Sequence, residues 1–433
     1  MFKSIQIFIT VVLTSLFFFP FFFSFLPMVN TKMMLAVLGV LAYLIDHFNG
    51  KTTSFEKGLF NISIGALGVS FCSFLSMTVN GTPDDSYLGY VISMLVWLFA
   101  AYFCVSLIRR IHGEVSVEII GYYLLGVALL QCTLALLINS LPWMGNLVDT
   151  YVTGEKYMGV NVDGRLHGIG CALDVGGGRL GAILIIAVYL MLQSIKFGKS
   201  KWQFIGLLLS FFYILVVGSM IGRTASVGAS IAIAYAGYSL FFCNDMKNNS
   251  YGSYALPTVA VLSLSIVLCV VLYNISADAM KFLRFGFEGF FNYFEHGKFE
   301  TNSTNMLSEG MIFPDNWKTW IIGDGYMASG LNDPYYIGPS DYGFYMNTDA
   351  GYSRFIFYFG LIGLSVFMLF FVTVCRECSK IKMGQFLFVA LLIFNFTVWV
   401  KVSTDLFLVF APFLCILEKS ENDCCNLKVE NEL

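Results

Sequence analysis

Apolar residues run along the chain in blocks of roughly 20, the length that crosses a hydrocarbon layer about 30 Å thick. Short polar breaks separate them. The blocks predict helical spans at 5–28, 31–46, 58–79, 87–108, 117–140, 179–195, 202–221, 224–243, 255–275, 351–374, 384–400 and 402–418, about twelve in all. The expected fold is an all-α polytopic membrane protein, with 1–418 as a single transmembrane domain and 419–433 as a polar tail. Alternate breaks hold the basic residues: Lys51 and Lys57, Arg109 and Arg110, Lys196, Lys199 and Lys201, Lys247, then Arg376, Lys380 and Lys382. Basic residues mark cytoplasmic loops, so both termini are expected on that side. The two long breaks, 141–178 and 276–350, then lie outside.

The N-terminus begins like a signal peptide, with Lys3 ahead of an apolar stretch. That stretch continues past Pro20 to Val29 without a small-residue cleavage site, so it is read as the first span. Within 276–350, Phe282, Phe285, Phe287, Phe290, Phe291 and Phe294 accompany Lys281 and Arg284, as in a helix lying among lipid headgroups. A second short helix is expected over Thr304–Ile312, capped by Ser303 or Thr304. Gly323-Asp324-Gly325 and Asn332-Asp333-Pro334 read as turns.

Composition agrees: 57% of residues are hydrophobic and 12% charged, with a mean hydropathy of +0.74, against about 25% charged in soluble domains. A net charge of −3 gives no nucleic-acid footprint. The 11 cysteines lie mostly in or beside spans. Cys375 and Cys378 have the spacing of a redox or zinc pair but no second ligand pair, so reduced thiols and no metal are expected.

Arg223 is the most informative single residue. It follows Gly218, Ser219 and Gly222 and precedes Thr224, Ala225 and Ser226, on the side where short loops seldom carry a cation. Its guanidinium either snorkels at the membrane edge or binds a phosphate through its planar fork. Between Asp163 and Arg179, Arg165, His167 and Asp174 sit among glycines whose backbone N–H groups are candidates to cradle phosphate. No nucleotide-binding fingerprint accompanies them. Asp349 and Arg354 flank Gly351-Tyr352 at the outer start of the tenth span, where Asp349 is either a general base or, like Thr348, a helix cap. The span centres hold essentially no charge, which argues against an ion-coupled pump.

These residues resemble the polysaccharide polymerase and O-antigen ligase superfamily, bacterial inner-membrane enzymes of the C-type glycosyltransferase kind. The likeness rests on Arg165-Leu166-His167-Gly168 with Asp174, on Gly222-Arg223-Thr224 (Gly222 replacing the usual Ser), and on Ile322-Gly323-Asp324-Gly325-Tyr326 followed by Asp349-Ala350-Gly351-Tyr352 and Gly360-Leu361-Ile362-Gly363-Leu364. It implies a multi-pass protein of the bacterial inner membrane. The substrate would be an oligosaccharide repeat unit on undecaprenyl diphosphate, met at the outer leaflet beside membrane lipid. The growing chain would pass, with inversion, to a hydroxyl of the next unit. A flippase and a chain-length regulator are the implied partners, and no cofactor is implied. Arg223, with Arg165 or Arg284, would stabilise the departing diphosphate. Asp349 would be the base or would orient the acceptor, and Arg354, His167 and Tyr352 would contact diphosphate or glycan. Ligases carry a His-Asn pair where this chain has Thr348-Asp349, which favours a polymerase over a ligase. The family's Arg early in the second loop helix is missing from Thr304–Glu309, leaving Arg284 as the nearest substitute. A lipid-linked sugar flippase is the alternative from another class.

Overall fold

A computed structural model describes residues 2–50, 53–153, 165–242, 252–328, 344–381 and 385–416. The Asn332-Asp333-Pro334 turn and the tail lie outside the described residues. The fold is helical: α1 (Phe2–Phe18), α2 (Thr31–Phe48), α3 (Thr53–Asn80), α4 (Tyr90–His112), α5 (Val117–Ser140), α6 (Pro142–Tyr151), α7 (Leu173–Lys196), α8 (Lys201–Ile221), α9 (Thr224–Phe242) and α10 (Gly252–Ile275). Four short helices follow: α11 (Ala277–Gly286), α12 (Glu288–His296), α13 (Asn302–Gly310) and α14 (Trp317–Ile322). The chain then returns through α15 (Gly351–Ser379), α16 (Gln385–Val398) and α17 (Phe407–Leu414). Among the described residues, nine helices are long and apolar enough to cross a membrane: α2 to α5, α7 to α10, and α15.

Helix α7 is the core. Its apolar stretch is 89% buried, against 6% for α10, whose Leu256, Val259 and Leu264 are exposed. Small residues explain the close packing. A Cβ on Gly177 would lie 2.6 Å from the Gly222 carbonyl oxygen, and one on Gly228 would lie 2.3 Å from the Gly181 Cα. The glycine run 176–178 is therefore the first turns of a helix pressed against its neighbours, not a phosphate-cradling loop. That helix starts six residues before the expected span.

Three other expectations change. Helix α1 stops at Phe18, not 28, because Pro20 has no N–H to donate and bars its predecessor from helix. The chain instead forms β1 (Phe22–Phe23) and β2 (Leu26–Asn30), which with β3 (Val152–Thr153) make a small antiparallel sheet in the order β2-β1-β3. Helix α13 is capped by Thr301, not Ser303 or Thr304; Thr304 closes the capping box. Before α17, residues 402–406 are not helical, and this break holds Asp405.

The turn at Gly323–Gly325 has a specific partner. Helix α15 opens at Phe359 and Gly360, the latter at φ 65° and ψ −171°, a conformation essentially reserved for glycine. The opening frees the Phe357 and Tyr358 carbonyls, which accept from Asp324 N (2.6 Å) and Gly325 N (3.1 Å). Ser76 adds a donor to the Tyr358 carbonyl at 2.7 Å. The Gly323–Gly325 turn is thus fastened into the first third of a long apolar helix.

Candidate functional site

The α8–α9 turn holds Arg223 between two helix ends. Gly222 N closes α8 onto the Gly218 carbonyl, and Ser219 and Ser226 hydroxyls meet at 2.7 Å. Thr224 Oγ1 donates to Asp174 Oδ1 (3.3 Å) on the first turn of α7. Arg165 arrives from the other side, because Leu166 N donates to the Met220 carbonyl at 3.0 Å. Helix α11 closes over both, with Leu283 buried and Gly286 against the Ser219 backbone.

Its Phe285 ring receives two guanidiniums, Arg223 at 4.4 Å and Arg165 at 4.7 Å from the centroid. Each contact contributes about 0.5–2 kcal/mol by attraction to the ring face. Arg223 pairs with Glu288, whose second oxygen accepts from Asn302 N at the start of α13 (3.2 Å). Arg223 Nε is buried without a partner, and Arg165 has no carboxylate partner among the described residues. Burial pushes Arg223 below its ordinary pKa, Glu288 opposes that, and Arg165 reinforces it. It remains cationic at neutral pH. Asp174, held by Thr224, adds a second carboxylate charge within reach of Arg223, but only Glu288 is in an ion pair with the cluster.

Asp349 is not the cap of α15. The N-cap is Ala350, with no side-chain capping bond. Thr348 accepts from Ala350 N (3.3 Å) and donates to the Gly310 carbonyl (2.6 Å). The Asp349 carboxylate faces Lys401 at 3.4 Å, retains 54% of its side-chain surface, and lies in electrostatic reach of Asp174 and Arg354. Burial pushes it up, and Lys401 pulls it partly back. Arg354 lies over the Phe344 ring at 4.3 Å and donates to the Met327 carbonyl at 3.0 Å, leaving Nε buried and unpartnered. Asp84 holds the same segment by accepting from Met327 N and Ala328 N (2.7 and 3.0 Å).

Beside Arg354 opens a cleft of about 630 Å³, lined among others by Tyr87, Tyr90, Val175, Ser403 and Asp405. Val175 follows Asp174, so the first turn of α7 separates the cleft from the Arg165–Arg223 cluster. Asp405 was not singled out as a site residue by the sequence pattern. Burial pushes its carboxyl up, the Phe407 N–H (3.1 Å) and the charges of Lys32 and Arg179 pull it back. Lys32 and Arg179 lie 4.0 and 5.6 Å from the Trp97 ring centroid, and Arg179 also donates to the Phe18 carbonyl at the end of α1 (2.8 Å). Lys32 on the first turn of α2 and Arg179 on the second turn of α7 thus lie near helix ends, away from the span centres expected to be uncharged.

Arg284 and Tyr352 turn elsewhere. Arg284 Nη2 donates to both carboxylate oxygens of Glu295 (2.8 and 2.7 Å), and its Nη1 donates to the Tyr273 hydroxyl (3.3 Å). The Tyr352 hydroxyl donates to the Phe396 carbonyl (2.9 Å), tying α15 to α16. His167 is half-buried beside Gly168, whose N–H donates to the Cys171 carbonyl. Among the described residues no group of side chains has the makings of a metal site, and Cys375 and Cys378 are buried free thiols. Compared with models of known protein families, with curated proteins and with solved structures, the chain matches none.

Proposed function

We propose that the chain is a metal-independent membrane glycosyltransferase that polymerises oligosaccharide repeat units carried on undecaprenyl diphosphate. In this reading α1, α16 and α17 also belong to the membrane bundle, giving about twelve membrane-embedded helices. Residues 276–350 face the outer side of a bacterial inner membrane, and both termini are cytoplasmic. One observation carries the reading: Arg165 and Arg223 meet on Phe285, and Arg223 alone of the two has an ion-pair partner among the described residues, Glu288. A diphosphate is the ligand whose charge and oxygen spacing suit two guanidinium forks.

The acceptor hydroxyl oxygen forms a bond to the anomeric carbon from the face opposite the leaving group. The bond from that carbon to the diphosphate oxygen breaks, and the diphosphate leaves with the electron pair, stabilised by Arg223 and Arg165. Preorganised donors of this kind contribute about 3–4 kcal/mol each in other enzymes. The hydroxyl proton passes to Asp349, which capping does not engage. Purified protein given lipid-linked repeat units should yield a ladder of longer products, and Arg223→Ala and Asp349→Asn should suppress it. A wild-type preparation that leaves single units unchanged counts against the reading.

A ligase is disfavoured by Thr348-Asp349 standing where ligases carry His-Asn. The Lys32–Arg179–Asp405 group is the one feature that favours a lipid-linked sugar transporter instead. In a deletion strain the polymerase reading requires single units to accumulate on the outer leaflet; the transporter reading requires them on the inner one.

A further inference from the structure

We infer that the 630 Å³ cleft beside Arg354 is a saccharide subsite, which on the polymerase reading holds the acceptor unit. Its volume lies within the range of about 300–1,000 Å³ that small-molecule pockets occupy. Its wall carries both hydrogen-bond donors and acceptors, which a ring of hydroxyls requires. Arg354 contributes guanidinium N–H groups beyond the one taken by Met327, and Asp405 supplies acceptor oxygens of which one already takes Phe407 N. The Ser403 hydroxyl has no protein partner among the described residues. Tyr87 and Tyr90, stacked with ring centroids 5.8 Å apart, give the wall its aromatic part. A phosphate would meet Arg354 together with Asp405 and Asp85, and this mixture of charge suits a polyhydroxylated ligand better than a dianion.

Position supports the assignment. Val175 lines the cleft while Asp174 accepts from Thr224, the neighbour of Arg223. One turn of α7 therefore separates the saccharide subsite from the guanidinium pair. Asp349 is in electrostatic reach of Arg354 on the cleft side and of Asp174 on the other. That arrangement places a sugar hydroxyl on one side of the helix end and a leaving diphosphate on the other.

Ser403→Phe narrows the cleft without removing any hydrogen bond of that side chain, and Ser403→Ala is its control. The full-length protein in nanodiscs is given elongated lipid-linked donor at saturation and a fluorescent single-unit acceptor at varied concentration. The expected result is an acceptor KM raised at least tenfold by Ser403→Phe and only a few-fold by Ser403→Ala, which removes one hydroxyl but leaves the cleft open, with inorganic pyrophosphate affinity unchanged in both. An unchanged acceptor KM overturns the subsite. Calorimetry with the lipid-free repeat-unit oligosaccharide keeps the two ideas apart. Saturable binding that Ser403→Phe abolishes and Arg223→Ala preserves supports the cleft even where no polymer forms, in which case only the polymerase reading falls. No saturable binding to the wild-type protein overturns the subsite even where polymer forms.

Discussion

Arg165 and Arg223, 58 positions apart in sequence, present their guanidiniums to one phenyl ring, and Glu288 is the only carboxylate paired with either among the described residues. Like charges this close repel, so the pair is held together by Phe285, by Glu288 and by the backbone bond from Leu166 to Met220. Such a cluster is poised to accept anionic charge. On the proposed reading, Glu288 occupies the fork that a diphosphate takes. Glu288→Gln should therefore raise the affinity for inorganic pyrophosphate about tenfold, or about 1.4 kcal/mol, while lowering thermal stability because a partly buried guanidinium loses its partner. Calorimetry with pyrophosphate measures the first and differential scanning the second. Weaker pyrophosphate binding in Glu288→Gln would mean that the carboxylate positions Arg223 instead of competing for it.

The turn that carries Arg223 packs against a glycine on another helix. An added methyl at Gly177 meets the Gly222 carbonyl at 2.6 Å, and both sides of that contact are backbone. Gly177→Ala should cost about 1–3 kcal/mol through overpacking and weaken pyrophosphate binding several-fold as the turn moves. Gly206, also helical, has nothing within 4 Å of such a methyl. Gly206→Ala should leave binding intact and leave the melting temperature equal or slightly higher. Equal effects at both positions would disconnect the glycine packing from the site.

Two residues expected near the ligand have structural work in this fold. Tyr352→Phe removes the bond to the Phe396 carbonyl and should cost about 1 kcal/mol of stability without altering product length. Arg284 keeps 45% of its side-chain surface in its pair with Glu295, a kind of contact worth about 0–1 kcal/mol. Arg284→Gln should therefore leave pyrophosphate affinity unchanged. A tenfold loss of substrate affinity in either variant would return that residue to the ligand site.

The parts legible in the sequence were local ones. The nine long apolar helices among the described residues, the aromatic run that forms α11 and α12, and the turns at Gly222 and Gly323–Gly325 are signalled by neighbours a few residues away. Glu288 is not legible as a site residue because its meaning comes from Arg223, 65 positions away, although an acid inside a run of phenylalanines is a visible signal. Asp405 was hidden similarly: Lys32 and Arg179 reach it only after α2, α7 and the α16–α17 break converge. The β1–β3 pairing depends on a contact across 127 positions, Ser24 N to the Tyr151 carbonyl at 2.9 Å, which hydropathy does not encode. The proline at 20 was the local clue that the first helix ends early.

Asp349 and Lys401 give the pH dependence its sign. Burial holds the Asp349 carboxyl above the ordinary carboxylate range, and Lys401 at 3.4 Å limits the rise. An acid with a raised folded-state pKa binds its proton more tightly in the folded chain than in the unfolded one. Its contribution to stability is full below the unfolded value and is lost as pH rises through the folded value. Activity runs the other way, because a base must be deprotonated. The acid limb of kcat/KM should therefore lie above the ordinary carboxylate range. Lys401→Met removes the cation that lowers the carboxyl, so the limb should move to higher pH while the alkaline plateau stays within a few-fold of wild type. Asp349→Asn should abolish the limb and reduce turnover by about 10²–10⁴. A limb that stays in place in Lys401→Met and persists in Asp349→Asn belongs to another carboxyl, and Asp405, half-buried at the cleft, is the next to substitute.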